Sequence, residues 1–140
     1  MDHPFPAGAV GPTQPAIRII LMPKDTNALG TIFGGIILSH IDLAGAVEAH
    51  RHVTGRLVTV AMREVVFHAP VFVGDLVSFY TETVKLGRTS ITVRVVVEVE
   101  RTRGAGRVKV TEAEVVYVHV DQNNKPVPLD RVTSDAAVTS

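Results

Sequence analysis

Asp42 is the residue whose type fits its surroundings least. It lies within GGIILSHIDLAGAVEAH (34–50), where Ile36, Ile37, Leu38, Ile41, Leu43 and Val47 leave almost no polar face before Glu48. Such a run reads as a helix beginning near Gly34 or Gly35, and a helix apolar all round must be buried. The positions three and four residues from Asp42 hold Leu38, Ser39, Gly45 and Ala46, so no cation on the helix balances the acid. Burying a lone carboxylate is costly. One reading makes Asp42 a general base or nucleophile, made more reactive by an apolar pocket. A second takes Ser39-His40-Ile41-Asp42 as a capping box, with the helix starting at Ser39. A third is a buried acid bound to a backbone amide.

Three further groups sit at spacings that suit chemistry. Gly30, Gly34 and Gly35 precede or open the helix; they allow a tight turn, or they leave N–H groups free to bind an oxyanion at the positive end of the helix dipole. Asn27 reads as a turn residue, or as an amide that orients water or polarises a carbonyl. Arg88-Thr89-Ser90 follows Gly87 and joins a cation, two hydroxyls and turn amides; it is an ordinary hairpin corner or a phosphate contact.

Other chemistries lack their residues. There is no cysteine, hence no disulfide, thiolate metal site or cysteine nucleophile. The six histidines form no HExxH, His50 and His52 lack the helical spacing for a shared ion, and no metal is expected. His40 is expected to pack or cap. No GxSxG elbow, GxGxxG or Gly-Lys-Ser/Thr ending occurs. Lysine plus arginine balance aspartate plus glutamate at 14 each, so no global field draws the chain to nucleic acid. Arg101, Arg103, Arg107 and Lys109 cluster around a loop without stacking aromatics and read as a solvated tip. No secretory signal pattern or membrane-length apolar run is present, and a cytoplasmic protein is expected.

The elements that must position these groups follow from periodicity. Residues 1–15, rich in proline and glycine, read as a flexible arm; 16–129 form a single domain; 130–140 form a polar tail. Strands are expected at 16–22, 57–71, 76–86, 91–101 and 107–121, with a bend at Pro70, turns at 73–75 and Gly87, and a hairpin loop at 102–106. The helix is expected to end between His52 and Gly55. In 91–101, Ile91, Val93, Val95, Val97 and Val99 share one face, with Val96 the exception on the other. One helix against long antiparallel strands gives an α+β unit, a curved sheet wrapped around the helix. Valines left on the uncovered face favour self-association.

Taken in order, MPKDTNALGTIFGG, ILSHIDLAG, TVAMREVVFHAPVFVGD and KLGRTSI resemble the hotdog-fold acyl-CoA thioesterases, nearest to the YciA-like bacterial hydrolases. The resemblance runs from about Ile17 to Val120. It implies Asp42 as catalytic acid, Asn27 as its partner amide, an oxyanion donor at Gly34 or Gly35, and CoA contacts at Arg88, Thr89 and Ser90. It also implies an acyl-CoA substrate with no separate cofactor, and a homodimer assembled as a trimer of dimers, a hexamer. Val66 and Ala69 depart from the polar and basic residues that close relatives tend to carry there, which bears on chain-length preference and CoA affinity. The alternatives are a hotdog hydratase or dehydratase, which pairs its acid with a histidine, and a non-catalytic acyl-CoA-binding protein. His40 stands two residues from Asp42, on a different face of the helix.

Overall fold

The inward valines of one strand decide where the core lies. In the computed structural model, which describes residues 14–101 and 106–131, Ser90–Glu100 is a strand at the centre of a five-stranded antiparallel sheet. None of Ile91, Val93, Val95, Val97 and Val99 is more than 1 % exposed. In chain order the elements are β1 (Ile17–Ile20), a 3-10 turn (Pro23–Asp25), α1 (Gly34–Ala49), β2 (Val53–Thr54), β3 (Arg56–Phe67), β4 (Leu76–Leu86), β5 (Ser90–Glu100), β6 (Arg107–Val120) and β7 (Asp130–Arg131). The sheet order is β1-β4-β5-β6-β3. The concave face curls around α1, whose Ile37, Ile41 and Ala44 are buried against β4, β5 and β6. Val96 pairs with Tyr80 in a small buried cluster of its own. This is the α+β hotdog arrangement expected from the sequence.

Close approach of helix and sheet depends on one glycine. A Cβ at Gly45 would collide with the Tyr117 hydroxyl, which donates at 2.6 Å to the backbone carbonyl of Asp42. Burial pushes the Tyr117 phenol well above its ordinary pKa, and the Asp42 charge adds to the shift. β3 is an edge strand, and its pairing with β6 slips between Thr59 and Ala61 and again between Arg63 and Val66. Glu64, at the second slip, has φ 56°. These irregularities bend the strand.

Several boundaries differ from the sequence reading. α1 stops at Ala49, short of His52–Gly55: the N–H groups of His50, Arg51 and His52 close the last turn, and β2 starts at once. β1 spans only Ile17–Ile20. β3 ends at Phe67, where the N–H groups of His68 and Ala69 both turn to the Val110 carbonyl and Pro70 follows. The helix begins at Gly34, so Ser39 is no cap; its hydroxyl donates to the Ile36 carbonyl. Nor is the helix buried all round in this chain, because Leu43 and Val47 are 57 % and 43 % exposed. Asp130–Arg131, expected in the tail, pair with Val53–Thr54. Residues 1–13 of the expected arm, 102–105 of the expected loop (Arg103 included) and 132–140 of the tail lie outside the described residues. Among the described residues no helix is long and apolar enough to cross a membrane.

Candidate active site

The segment before α1 is a closed loop that delivers the chain into the helix without capping it. Asp25 organises its base: Oδ2 accepts the Met22 N–H at 3.0 Å, and the Asp25 carbonyl accepts the Phe33 N–H at 2.8 Å. The Met22 bond holds the Asp25 carboxyl below its usual pKa. Thr26 and Ile32 form a bridge, and the Ile32 N–H reaches the Val71 carbonyl at 2.8 Å. Phe33 then occupies the N-cap position with extended backbone and gives no side-chain bond to the helix. The first N–H groups of a helix have no partner within it, and here no cap residue supplies one.

Asn27 stands inside that loop and serves its turn. Oδ1 accepts the N–H groups of Leu29 and Thr31 at 2.9 and 3.2 Å, and Nδ2 donates to the Thr31 hydroxyl at 2.9 Å. Gly30 closes the turn at φ +86°, a conformation that favours glycine.

Asp42 is half-buried and has no ion-pair partner among the described residues. Oδ1 accepts the Thr59 hydroxyl at 2.7 Å, and the Tyr117 hydroxyl stands close by on the Asp42 backbone carbonyl. Thr59 lies on β3 at its first slip, so sequence spacing gave no signal that it would meet Asp42. His40 turns away from the acid: its ring stacks on Phe79 at 5.8 Å between centroids, and Nδ1 lies 2.9 Å from the Ile36 carbonyl.

A cavity of about 370 Å³ opens beside the helix start, lined by Gly34, Ile37, Phe67, Ala69 and Val71 among others. The Phe67 ring rests on Gly34. Ala69 is thus a small residue in a cavity wall, whereas Val66 is exposed on the edge strand.

The Arg88-Thr89-Ser90 turn is clamped by backbone bonds. The Gly87 N–H donates to the Ser90 carbonyl at 2.8 Å, Leu129 to that of Arg88 at 3.0 Å, and His119 to that of Thr89 at 2.8 Å. The Arg88 side chain is exposed and without a partner among the described residues. This turn lies at the opposite end of the domain from Gly34. The helix runs alongside β4, its C-terminal Glu48 meeting Thr81 and Thr83, and the turn follows β4. A helix of 16 residues spans about 24 Å, so one chain does not bring the turn to its own helix start. The expected solvated tip is more ordered than anticipated. Arg101 pairs with Asp75 at 3.5 Å and caps the Phe72 ring, Arg107 approaches Glu98 at 3.7 Å, and Lys109 meets Glu112 at 2.5 Å.

A single helix laid in a curled antiparallel sheet, with an uncapped helix start over a cavity and a lone acid further along, defines a hotdog-fold hydrolase class. A model of the thioesterase superfamily matches residues 29–105, and the chain belongs to that superfamily. Within it, the chain belongs to the YciA-like acyl-CoA thioester hydrolases. It is 44 % identical over 116 residues to the acyl-CoA thioester hydrolase YciA of Salmonella typhimurium, covering 81 % of this chain and 87 % of that protein. Its structure resembles Cj0915, a hexameric hotdog-fold thioesterase of Campylobacter jejuni, at TM-score 0.78 and 43 % identity, covering 90 % of this chain and 95 % of the other. It also resembles the hexameric thioesterase y2039 of Yersinia pestis at TM-score 0.79 and 40 % identity, covering 86 % and 97 %.

Proposed function

We propose that this chain is an acyl-CoA thioesterase whose reacting groups come from two subunits. Family membership supports the reaction class. The observation that carries the site is the uncapped start of α1 at Gly34, open to a cavity, with Asp42 eight residues further on and without a cation among the described residues. Eight residues span about 12 Å of helix. The Asp side chain leans back toward the N-terminus and recovers only part of that gap. A carbonyl held at one helix start is therefore better reached by Asp42 of a neighbouring subunit, and the Arg88 turn has the same need of a second copy.

The chemistry follows from the groups. The thioester oxygen sits on the N–H groups of Gly34 and Gly35, which stabilise the charge that develops in the tetrahedral intermediate. Asp42 takes a proton from water as the water oxygen bonds the carbonyl carbon. The intermediate then collapses, the C–S bond breaks, and the proton passes from Asp42 to the departing CoA thiolate. In the alternative route, Asp42 attacks the carbonyl itself, releases CoA, and water hydrolyses the resulting anhydride to the acid. Asn27 positions the water or the carbonyl, and Arg88, Thr89 and Ser90 hold the CoA portion. The reaction draws on no cofactor, because CoA is part of the substrate. A hydratase would need a histidine beside the acid, and the His40 ring is engaged elsewhere.

Assembly follows from surfaces that one chain leaves open. The outer edge of β3 is unpaired among the described residues, and Leu43, Val47 and Val60 are exposed. These features favour a homodimer, and the hexameric state of the relatives points to three such dimers. The deciding measurement is thiol release from a panel of acyl-CoAs. Steady release with turnover is expected. Binding without release would identify a carrier, and water addition to an enoyl-CoA without release a hydratase.

A further inference from the structure

Two hydroxyls from one cross-strand pair meet at Asp42. Thr59 on β3 and Tyr117 on β6 stand directly opposite each other in the ladder, and opposed residues share a face of the sheet. The Thr59 hydroxyl donates to the Asp42 carboxylate, and the Tyr117 hydroxyl donates to the backbone carbonyl of the same residue at 2.6 Å. That carbonyl lies inside α1, where the helix already brings it the Ala46 N–H. The phenol therefore rescues no orphaned helix group. Two unfavourable features accompany its contact. Tyr117 is only 2 % exposed, in a core with Ile91, Val93 and Val115, and a phenol so placed needs a partner. Gly45 stands in the helix interior, where glycine is unfavourable, and a Cβ there would collide with the Tyr117 hydroxyl. Phenylalanine at 117 would fill the same space, need no partner, and remove the tightest of the contacts that exclude a side chain at 45.

The contact does what apolar packing cannot. Ile37, Ile41 and Ala44 seat the helix on the sheet, but burial of this kind is non-directional, whereas a short hydrogen bond sets one residue against one strand. Burial raises the pKa of the phenol, with the Asp42 charge adding to the shift, so the hydroxyl stays a donor. Resting on the thioesterase reading, in which Asp42 is the acid, we propose that Tyr117 is a positioning residue for Asp42. Its bond to the Asp42 carbonyl, with Gly45 giving it access, holds the acid in the place from which it acts on water or on the thioester carbonyl. Tyr117 acts through Asp42 and takes no part in the proton transfers. Rates are sensitive to displacements of this kind, because a reacting group must be held in a near-attack geometry.

The test introduces Tyr117→Phe into two backgrounds and follows thiol release from butyryl-CoA. In the otherwise wild-type protein kcat should fall by about tenfold, the worth of one hydrogen bond, while KM stays near its wild-type value. In the Asp42→Asn protein the same change should lower the residual kcat by less than about twofold, because substitutions that act through one group are not additive. A purely structural role would leave kcat of the folded protein unchanged, or lower it equally in both backgrounds; either result would overturn the inference. Gly45→Ala gives a second reading, since it drives the hydroxyl off the carbonyl while the phenol remains in the chain. It should also lower kcat with little change in KM. Should Tyr117→Phe not fold, Gly45→Ala decides, and an unchanged kcat would overturn the inference. Failure of the reading beneath it looks different: no thiol release by the wild-type protein, or wild-type turnover by Asp42→Asn alone.

Discussion

The two ends of α1 have been treated in opposite ways. At the C-terminal end, Glu48 is 6 % exposed and its carboxylate is saturated. It accepts the hydroxyls of Thr81 and Thr83 at 3.1 and 2.8 Å, His52 Nε2 lies at 3.0 Å, and Arg51 approaches to 3.7 Å. The backbone there is closed too, with the His50 N–H returning to the Ala46 carbonyl. At the other end Phe33 offers no cap, Gly34 and Gly35 bring no side chains, and a cavity lies alongside. Asp42, between them, is half-buried and keeps one oxygen on the Thr59 hydroxyl. Two acids on one helix thus differ in kind. Glu48 has its partners inside the fold and ties helix to sheet; Asp42 is half-buried and has no cation among the described residues. Buried polar groups are normally satisfied, so the uncapped start of α1 beside the cavity marks where a ligand is expected.

Exchanging the acids' chemistry one at a time should separate the two roles. Asp42→Asn keeps size and hydrogen bonding to Thr59 but removes the base, so kcat should fall by about 10²-fold or more, with thermal unfolding little changed. Mixing Asp42→Asn chains with Asn27→Ala chains should restore part of the activity in hybrid dimers, since half of the shared sites would then be intact. Wild-type turnover by Asp42→Asn would end the comparison; exchange of subunits without recovery would end the shared site. Glu48→Ala should do the reverse. It strands two hydroxyls on β4, and a loss of about 2 kcal/mol in stability is expected, read by denaturant unfolding, while kcat of the folded protein stays near wild type. A large fall in kcat at unchanged stability would give Glu48 a role in the reaction.

Arg88 tests whether an open group elsewhere has the same meaning. Its backbone is clamped at both neighbours while its guanidinium has no partner among the described residues. Arg88→Ala should therefore leave the turn intact and raise KM for acyl-CoA by about tenfold, the worth of one charged hydrogen bond. An unchanged KM would make the turn an ordinary hairpin corner.

What could be read from the sequence divides along the same line. Alternation in 91–101 and the apolar run from Ile36 are local patterns, and they located the central strand, the helix and its start at Gly34. Asp42 stood out because its near neighbours could not balance it. Thr59, by contrast, meets Asp42 only after β3 slips in register against β6, and no local pattern encodes a slip. The saturation of Glu48 depends on β4, some thirty residues on. The pairing of Val53–Thr54 with Asp130–Arg131 joins two-residue segments too short to carry any period. Leu43 and Val47 read as core because periodicity reports that a side chain is apolar, not whether its own chain or another covers it.

The smallest expected effect is also the most direct test of the open helix end, and it consists of closing it. Phe33 already has the extended backbone of an N-cap residue, at φ −60° and ψ 128°. Phe33→Ser would place a hydroxyl oxygen where a cap normally accepts an N–H from the first turn, typically the second or third helical residue. The Ile36 N–H already returns to the Phe33 carbonyl at 2.9 Å, so the group available is that of Gly35. Capping should raise stability by about 0.5–1 kcal/mol. A cap that competes with the oxyanion for that N–H should also lower kcat by a few-fold, well short of the roughly 10²-fold lost when an oxyanion donor is removed outright. Phe33→Ala is the control, because it removes the same ring from Gly35 without supplying an acceptor. The informative quantity is the difference between the two variants. If Ser is more stable and slower than Ala, the free N–H groups at Gly34 and Gly35 take part in the reaction. If Ser is more stable and equally fast, the uncapped end is a packing accident, and the oxyanion must be held by donors other than the start of α1.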